Sequence, residues 1–178
     1  MVLYAKHGKF HHCQRMLNLV LWSGNEQVLD VGTGRGLLMI AAAKRLSTGK
    51  AIGIDIWSAK DLSGNSPQNT LRNAELEGVS NRVAVETGDA TKMSFAGGAF
   101  DYVLSNLCLH NIPSRAGRKS ACQEIIRVLK PGGHAVISDF KNTGNYERWF
   151  REAGATCRRT SINLLTFPPL RIVLAEKR

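Results

Sequence analysis

The chain has 178 residues, of which 43% are hydrophobic and 21% charged, and it reads as one soluble globular domain with a sizeable core. Its longest strongly apolar stretch, Leu37 to Ala43, stops at Lys44, far short of the ~20 residues of a membrane span, and the opening Met1–Ala5 meets Lys6, His7 and Lys9 too early for a signal peptide. The formal net charge of +10 fits nucleic acid, an anionic membrane surface or an acidic substrate, but no Lys/Arg block is dense enough to separate these from a plain solvated surface.

In chain order, Met16, Leu17, Val20 and Leu21 fall at helical spacing and predict an amphipathic helix over 11–21, broken by Ser23-Gly24-Asn25. A strand is expected at 27–31, a helix at 36–46 and a strand at 51–56. An irregular stretch, 58–65, leads to Ser66-Pro67, an N-cap and first-turn proline for a helix over 68–77 that Gly78 stops. A strand follows at 82–87, then Gly88-Asp89-Ala90 and the loop Ala96-Gly97-Gly98-Ala99. The next strand, 100–105, runs into Asn106–Asn111, a helix over 114–129 and the turn Lys130-Pro131-Gly132-Gly133. A strand over 134–140, a helix over 146–153 and two final strands, 156–165 and 170–176, complete the chain. Strands alternating with helices imply a mostly parallel sheet covered on both faces, and the last two strands, joined without a helix, must pair antiparallel. The four cysteines (Cys13, Cys108, Cys122, Cys157) are scattered with no CxxC, the pattern of reduced thiols in a cytoplasmic protein. His11-His12-Cys13 is no metal site on this reading, because adjacent residues diverge on a helix.

The chemistry concentrates at Val28-Leu29-Asp30-Val31-Gly32-Thr33-Gly34-Arg35-Gly36, where an apolar strand ends in an acid and three alternating glycines before a helix. Such a turn brings backbone closer to a ligand than a Cβ allows. The third glycine falls one place too early for the GxGxxG of dinucleotide binders, and no Gly-Lys-Ser/Thr of a P-loop follows. Asp55, 19 residues after Gly36, ends the second strand where an acid can accept from two ribose hydroxyls.

Together these residues resemble the class I S-adenosylmethionine-dependent methyltransferases. Val28–Gly36 looks like their first motif, Ile54-Asp55 like the ribose-binding strand end and Gly88-Asp89-Ala90 like the adenine-binding position. Phe100-Asp101-Tyr102-Val103 looks like the start of their fourth strand, and Arg127–Gly133 like the turn before the fifth. Five motifs in the right order are more specific than any one of them. The resemblance runs from Val28 nearly to the chain's end and is nearest to the small-molecule branch that includes ubiquinone-biosynthesis and arsenite methyltransferases. It implies a Rossmann-like α/β fold of seven strands in the order 3-2-1-4-5-7-6, with strand seven antiparallel. Residues 1–24 then form an N-terminal helical segment, a candidate lid through Tyr4, His7 and Phe10, and 25–178 form the domain; 58–65 is a second candidate lid.

The resemblance further implies S-adenosylmethionine as cofactor, a small-molecule methyl acceptor and direct in-line displacement. Gly32, Thr33, Gly34 and Gly36 would line the donor, with Asp30 fixing the loop or the donor's amino group. Asp55 would hold the ribose and Asp89 and Ala90 the adenine edge, and Asn106, at the strand end facing the methyl group, is a candidate for the cofactor's surroundings, partly through its backbone carbonyl. Ile56 and Trp57 are expected against the adenine, with a core position the alternative for Trp57. No nucleophilic side chain is needed, because alignment and desolvation supply the rate. His110 and Asp139 are the candidate bases; the competing readings are a histidine that orders its loop and an acid that caps the following turn.

A nucleic-acid acceptor is disfavoured, since Ser105-Asn106-Leu107-Cys108 stands where amino-methylating enzymes carry Asn/Asp-Pro-Pro-Tyr/Phe. The Pro-Cys dipeptide of ring-carbon methylation is also missing, although Cys108 is near. A non-catalytic S-adenosylmethionine-binding module is a further alternative. The sequence leaves the oligomeric state open, a homodimer included, and its abrupt basic start reads as a continuation from something upstream.

Overall fold

The apolar strand runs alternate their side chains between two cores. Leu29, Val103, Ala135, Ile137 and Val173 face one core, and their sequence neighbours Val28, Leu104, Val136, Ile172 and Leu174 face the other. In the computed structural model, which describes residues 8–58 and 63–178, seven strands form one sheet. They are β1 (Gln27–Val31), β2 (Lys50–Asp55), β3 (Val83–Thr87), β4 (Phe100–Asn106), β5 (Leu129–Asp139), β6 (Ala155–Arg159) and β7 (Arg171–Lys177). Their order is β3-β2-β1-β4-β5-β7-β6, parallel from β3 to β5, with β7 antiparallel to both β5 and β6.

Helices α1 (Lys9–Leu17), α2 (Leu37–Ala43) and α3 (Pro67–Leu76) contribute to the core that holds Val28, through Met16, Leu17, Met39, Ala42 and Ala74. Helices α4 (Arg115–Val128) and α5 (Thr143–Glu152) cover the other, through Ile125, Ile126, Tyr146, Trp149 and Phe150. Ser66 caps α3 by accepting from Asn69 N, with Pro67 in its first turn, and Ser114 caps α4 by accepting from Gly117 N.

Several element ends differ from the sequence reading. The first helix ends at Leu17, where the Trp22 indole and Arg45 both donate to the Leu17 carbonyl. The expected turn Lys130–Gly133 lies inside β5 as an irregularity: Phe100 pairs with Leu129, then Tyr102 with His134. Helix α5 starts three residues before its expected beginning, after Asn142 at φ 60°. The strand expected over 156–165 stops at Arg159: β6 pairs with β7 alone, and that ladder ends at Arg159 opposite Val173, two residues from the start of β7 at Arg171. Among the described residues, no helix is long and apolar enough to cross a membrane and no His/Cys/Asp/Glu cluster forms a metal site. Tyr4, His7 and 59–62 of the two expected lids lie outside the described residues; Phe10 is half exposed on α1.

Candidate functional site

Open α/β sheets bind ligands beyond the carboxyl ends of their parallel strands. Here that edge is formed by the residues following β1, β2, β3, β4 and β5.

After β1 the chain turns through Gly32 (φ 73°), Gly34 (φ 53°) and Gly36 (φ 86°), the last being the N-cap of α2. At Gly32 the requirement is double: its dihedral is left-handed, and a Cβ would sit 2.2 Å from Cys108 Sγ. The loop is tied to β2 by Gly32 N and Thr33 N, which donate to Ile54 O at 2.8 and 3.0 Å. Asp30 lies beneath it, 2% exposed, and its Oδ2 accepts from Thr33 Oγ1 at 2.9 Å and Met39 N at 3.0 Å. Burial pushes the Asp30 carboxyl up to about 7, against the pull of those two donors. Asp30 and Thr33 therefore shape the loop from inside.

Asp55 works from the next strand. Its Oδ2 accepts from Gly34 N at 2.9 Å, and its Oδ1 from Trp57 N at 2.7 Å and Asn65 Nδ2 at 3.1 Å. Trp57, at φ 58°, belongs to neither core; its indole donates to Thr87 Oγ1 at 2.9 Å and so bridges the ends of β2 and β3. Ile56 is exposed beside it. Asp89 is exposed and accepts from Thr91 N at 2.8 Å, while Ala90 is buried.

Helix α3 grips the loop from outside, a contact with no signal in the sequence. Thr70 Oγ1 donates to Gly34 O at 2.6 Å and Asn73 Nδ2 to Arg35 O at 3.0 Å. On the other side Ser105 Oγ donates to Val31 O at 2.8 Å. A buried serine after three apolar strand residues is the one cue that pointed there.

After β4, Leu107 takes φ 56° and a 3-10 turn, Leu109–Asn111, presents His110. His110 Nδ1 lies 2.9 Å from Asp139 Oδ1, close but off the hydrogen-bond line, and His110 N donates to Asp139 Oδ2 at 3.1 Å. Asp139 is fully buried and also accepts from Phe140 N at 2.8 Å and Tyr146 Oη at 3.2 Å. Burial raises its carboxyl above the usual range, with His110 opposing. Phe140 packs edge-on against the His110 ring, centroids 4.6 Å apart. Asn106 Oδ1 is buried with no hydrogen-bond partner among the described residues.

Cys108 packs under Gly32, and burial pushes its thiol up to about 12. That shift disfavours the thiolate form. A cavity of about 470 Å³ lined by Leu19, Glu26, Asp101, Lys130 and Gly133 lies at the opposite end of β4 and β5, away from these groups.

Residues 23–163 match the model of a methyltransferase domain. The chain is 33% identical over 147 residues to a ribosomal protein L11 methyltransferase of Rhodopseudomonas palustris, covering 78% of this chain and 48% of that protein. It is 31% identical over 149 residues to a 2-phytyl-1,4-naphtoquinone methyltransferase of Synechocystis, covering 79% and 58%. A demethylmenaquinone methyltransferase of Lactiplantibacillus plantarum is 36% identical over 115 residues, covering 64% and 45%. The chain thus spans about half the length of the curated relatives it matches. Its fold is similar to that of the [4+2]-cyclase SpnF, with TM-score 0.78 and 18% identity over 94% of this chain and 81% of that one. It is also similar to the YcgJ protein of Bacillus subtilis, with TM-score 0.75 and 14% identity over 94% and 98%. Neighbours that include a cyclase show that the fold alone does not fix the reaction.

Proposed function

The chain belongs to the methyltransferase-domain family, and from that premise we propose that it transfers a methyl group from S-adenosylmethionine to a small-molecule acceptor, with His110 taking the acceptor's proton. The observation that carries this reading is the convergence on one sheet edge of the Gly32–Gly36 loop, the Asp55 carboxylate that accepts from Gly34 N, and the His110–Asp139 pair.

The residues suit the cofactor. At Gly32 and Gly36 the left-handed backbone runs where a Cβ would crowd Cys108 or Thr70, so glycine is needed to build the loop. Asp55 offers carboxylate oxygens to a vicinal diol, exchanging its bonds to Trp57 N and Asn65 for ribose hydroxyls. The unpartnered Asn106 Oδ1 is an acceptor for the ammonium of a methionine moiety. Trp57 and Ile56 provide an apolar wall for a purine, and Asp89 an acceptor for its amino group. S-adenosylmethionine supplies a sulfonium-activated methyl group.

The protein's own part is to orient the acceptor in line and manage one proton. With Asp139 Oδ1 2.9 Å from His110 Nδ1, that nitrogen would carry the ring proton and Nε2 would keep the lone pair for the acceptor's O–H, N–H or acidic C–H. The proton moves to Nε2 as the new bond to methyl forms, and Asp139 stabilises the resulting imidazolium. Asp139 is in this reading a positioning residue, not a second base.

Relatives named for 2-phytyl-1,4-naphtoquinone and demethylmenaquinone support a quinone-like ring as acceptor. A second reading, a protein acceptor, is favoured by the relatives named for ribosomal protein L11. Methyl-labelled S-adenosylmethionine, incubated with the chain and in parallel with reduced quinones, ribosomal proteins and total RNA, separates them. Label in the quinone fraction supports the proposal; label confined to protein or RNA overturns its acceptor class. Titration calorimetry tests the donor site: Asp55→Ala is expected to weaken S-adenosylmethionine at least ~10-fold, the scale of one lost charge-assisted hydrogen bond or more. Unchanged affinity would remove Asp55 from the site.

A further inference from the structure

The connection between β6 and β7 is built inside out. Its polar residues Asn163 and Thr166 are buried, 6% and 4% exposed. Its apolar residues Leu164, Leu165 and Phe167 are 79%, 75% and 76% exposed, and Ile162 is 48% exposed. Exposed apolar side chains occur singly on any surface; several along one short loop, above an ordered polar base, form a patch that calls for a partner.

The base is held by specific bonds. Asn163 N donates to Leu170 O at 2.7 Å, and Asn163 Oδ1 accepts from Leu165 N at 3.1 Å. Thr166 Oγ1 donates to Asn163 O at 2.7 Å and accepts from Leu170 N at 2.8 Å. Asn163 Nδ2 reaches His12 Nδ1 of α1 at 3.3 Å, and His12 Nε2 meets Ser138 Oγ of β5 at 2.7 Å. The loop is therefore fixed to α1 and to the carboxyl end of β5. Phe10, 52% exposed, lies on the same helix α1.

Charge narrows the partner. The described parts of the two segments that meet at His12 and Asn163, residues 8–25 and 153–175, contain no Asp or Glu. They carry Lys9, Arg15, Arg158, Arg159 and Arg171. Arg159 is paired with Glu147 of α5, and the other cations give the apolar tips an excess of positive charge that matches an anionic bilayer, which takes side chains into its acyl boundary and attracts cations at its headgroups. Phosphates of a nucleic acid would satisfy the cations and leave the leucines in water.

We propose that the β6–β7 loop, with α1 beside it, docks this protein on the surface of an anionic lipid bilayer. Docking would bring the sheet edge that carries His110 and the glycine loop toward the bilayer, because β5 and β7 meet this loop at the same edge. It goes beyond methyl transfer and does not depend on it.

The test is co-sedimentation of the full chain with vesicles of phosphatidylcholine alone or mixed with phosphatidylglycerol. The wild type is expected to pellet with the mixed vesicles and to be released by high salt. The double substitution Leu164→Ser with Leu165→Ser should lower the partition ~10-fold or more, since it removes most of the inserted apolar area. Arg158→Gln should lower it several-fold on mixed vesicles and leave neutral vesicles unaffected. Both variants change exposed side chains, and unaltered thermal midpoints verify that they fold. Failure of the wild type to pellet overturns the proposal. So does pelleting that both variants retain in full, or a wild-type dimer lost in the serine variant with no vesicle binding, which would make the occupant a second copy.

Discussion

Burial holds His12 neutral. Its ring is 2% exposed, and desolvation first, then Arg15 and His11, lowers its pKa to about 4. The sign follows from proton binding: below the unfolded value of 6.5 the unfolded chain takes up a proton that the native chain refuses. This group's contribution is therefore complete above 6.5 and lost as pH falls toward 4, up to roughly 3 kcal/mol. Protonated Nδ1 would also face the Asn163 amide as donor against donor. Asp30, raised to about 7, acts oppositely and weakens the fold as pH rises from its unfolded value toward 7. The readout is therefore the difference in chemical-denaturation stability between wild type and His12→Gln across pH 4 to 7, expected to shrink as pH falls. At His110, substitution by Ala is expected to lower kcat by roughly a hundred- to ten-thousand-fold, the usual worth of a positioned base, with the KM for S-adenosylmethionine little changed. A parallel loss of donor affinity would show that the residue orders its loop instead. Asp139→Asn should lower the thermal midpoint as well as kcat, because an amide nitrogen would replace one of two oxygens that together accept from His110 N, Phe140 N and Tyr146 Oη.

The glycine loop and the helix that grips it are one device. Gly32→Ala would place its Cβ 2.2 Å from Cys108 Sγ and 2.4 Å from Cys108 Cβ, on a dihedral that alanine disfavours. The expected cost is about 2–4 kcal/mol, from overpacking and left-handed strain together. Adding Cys108→Gly should recover the packing part and leave the backbone part, so the double variant should unfold between wild type and Gly32→Ala. Equal stability of the single and double variants would show that the backbone alone sets the requirement. The three glycines and the acid before them could be read in sequence because their spacing is local. The α3 clamp could not: Thr70 and Gly34 are 36 residues apart, and a threonine in a helix gives no sign of the carbonyl it will meet. The β6–β7 loop misled for a related reason. Its apolar residues continue a strand-like pattern, and only the tertiary structure shows that the β6–β7 ladder ends at Arg159 opposite Val173.

Ligand linkage acts on the whole molecule. The glycine loop joins β1 to α2, Asp55 ties it to β2, and Ser105 ties β1 to β4. A donor bound there stabilises the folded chain against global unfolding by about 2.7 kcal/mol at a hundredfold excess over its Kd. For a domain of this size that is ~5–10 °C in Tm. Asp55→Ala should abolish most of this shift in a thermal scan, and a full shift would place the donor elsewhere. The mostly parallel sheet, the helices on both its faces and the antiparallel pairing of the last two strands were legible because strand and helix patterns alternate along the chain, whereas the strand order followed from the family resemblance. By itself the sequence determined the strand–turn–helix proposed to receive the donor, the acids at successive strand ends and the family resemblance they carry, since each depends on neighbours a few residues apart. Tertiary structure alone decided that Asp139 lies behind His110, that Cys108 packs its thiol under Gly32, and that Asn163 turns inward while Leu164 and Leu165 turn out. Those outcomes depend on which distant residue fills the space beside each group, and burial, not residue type, sets the protonation and orientation that follow.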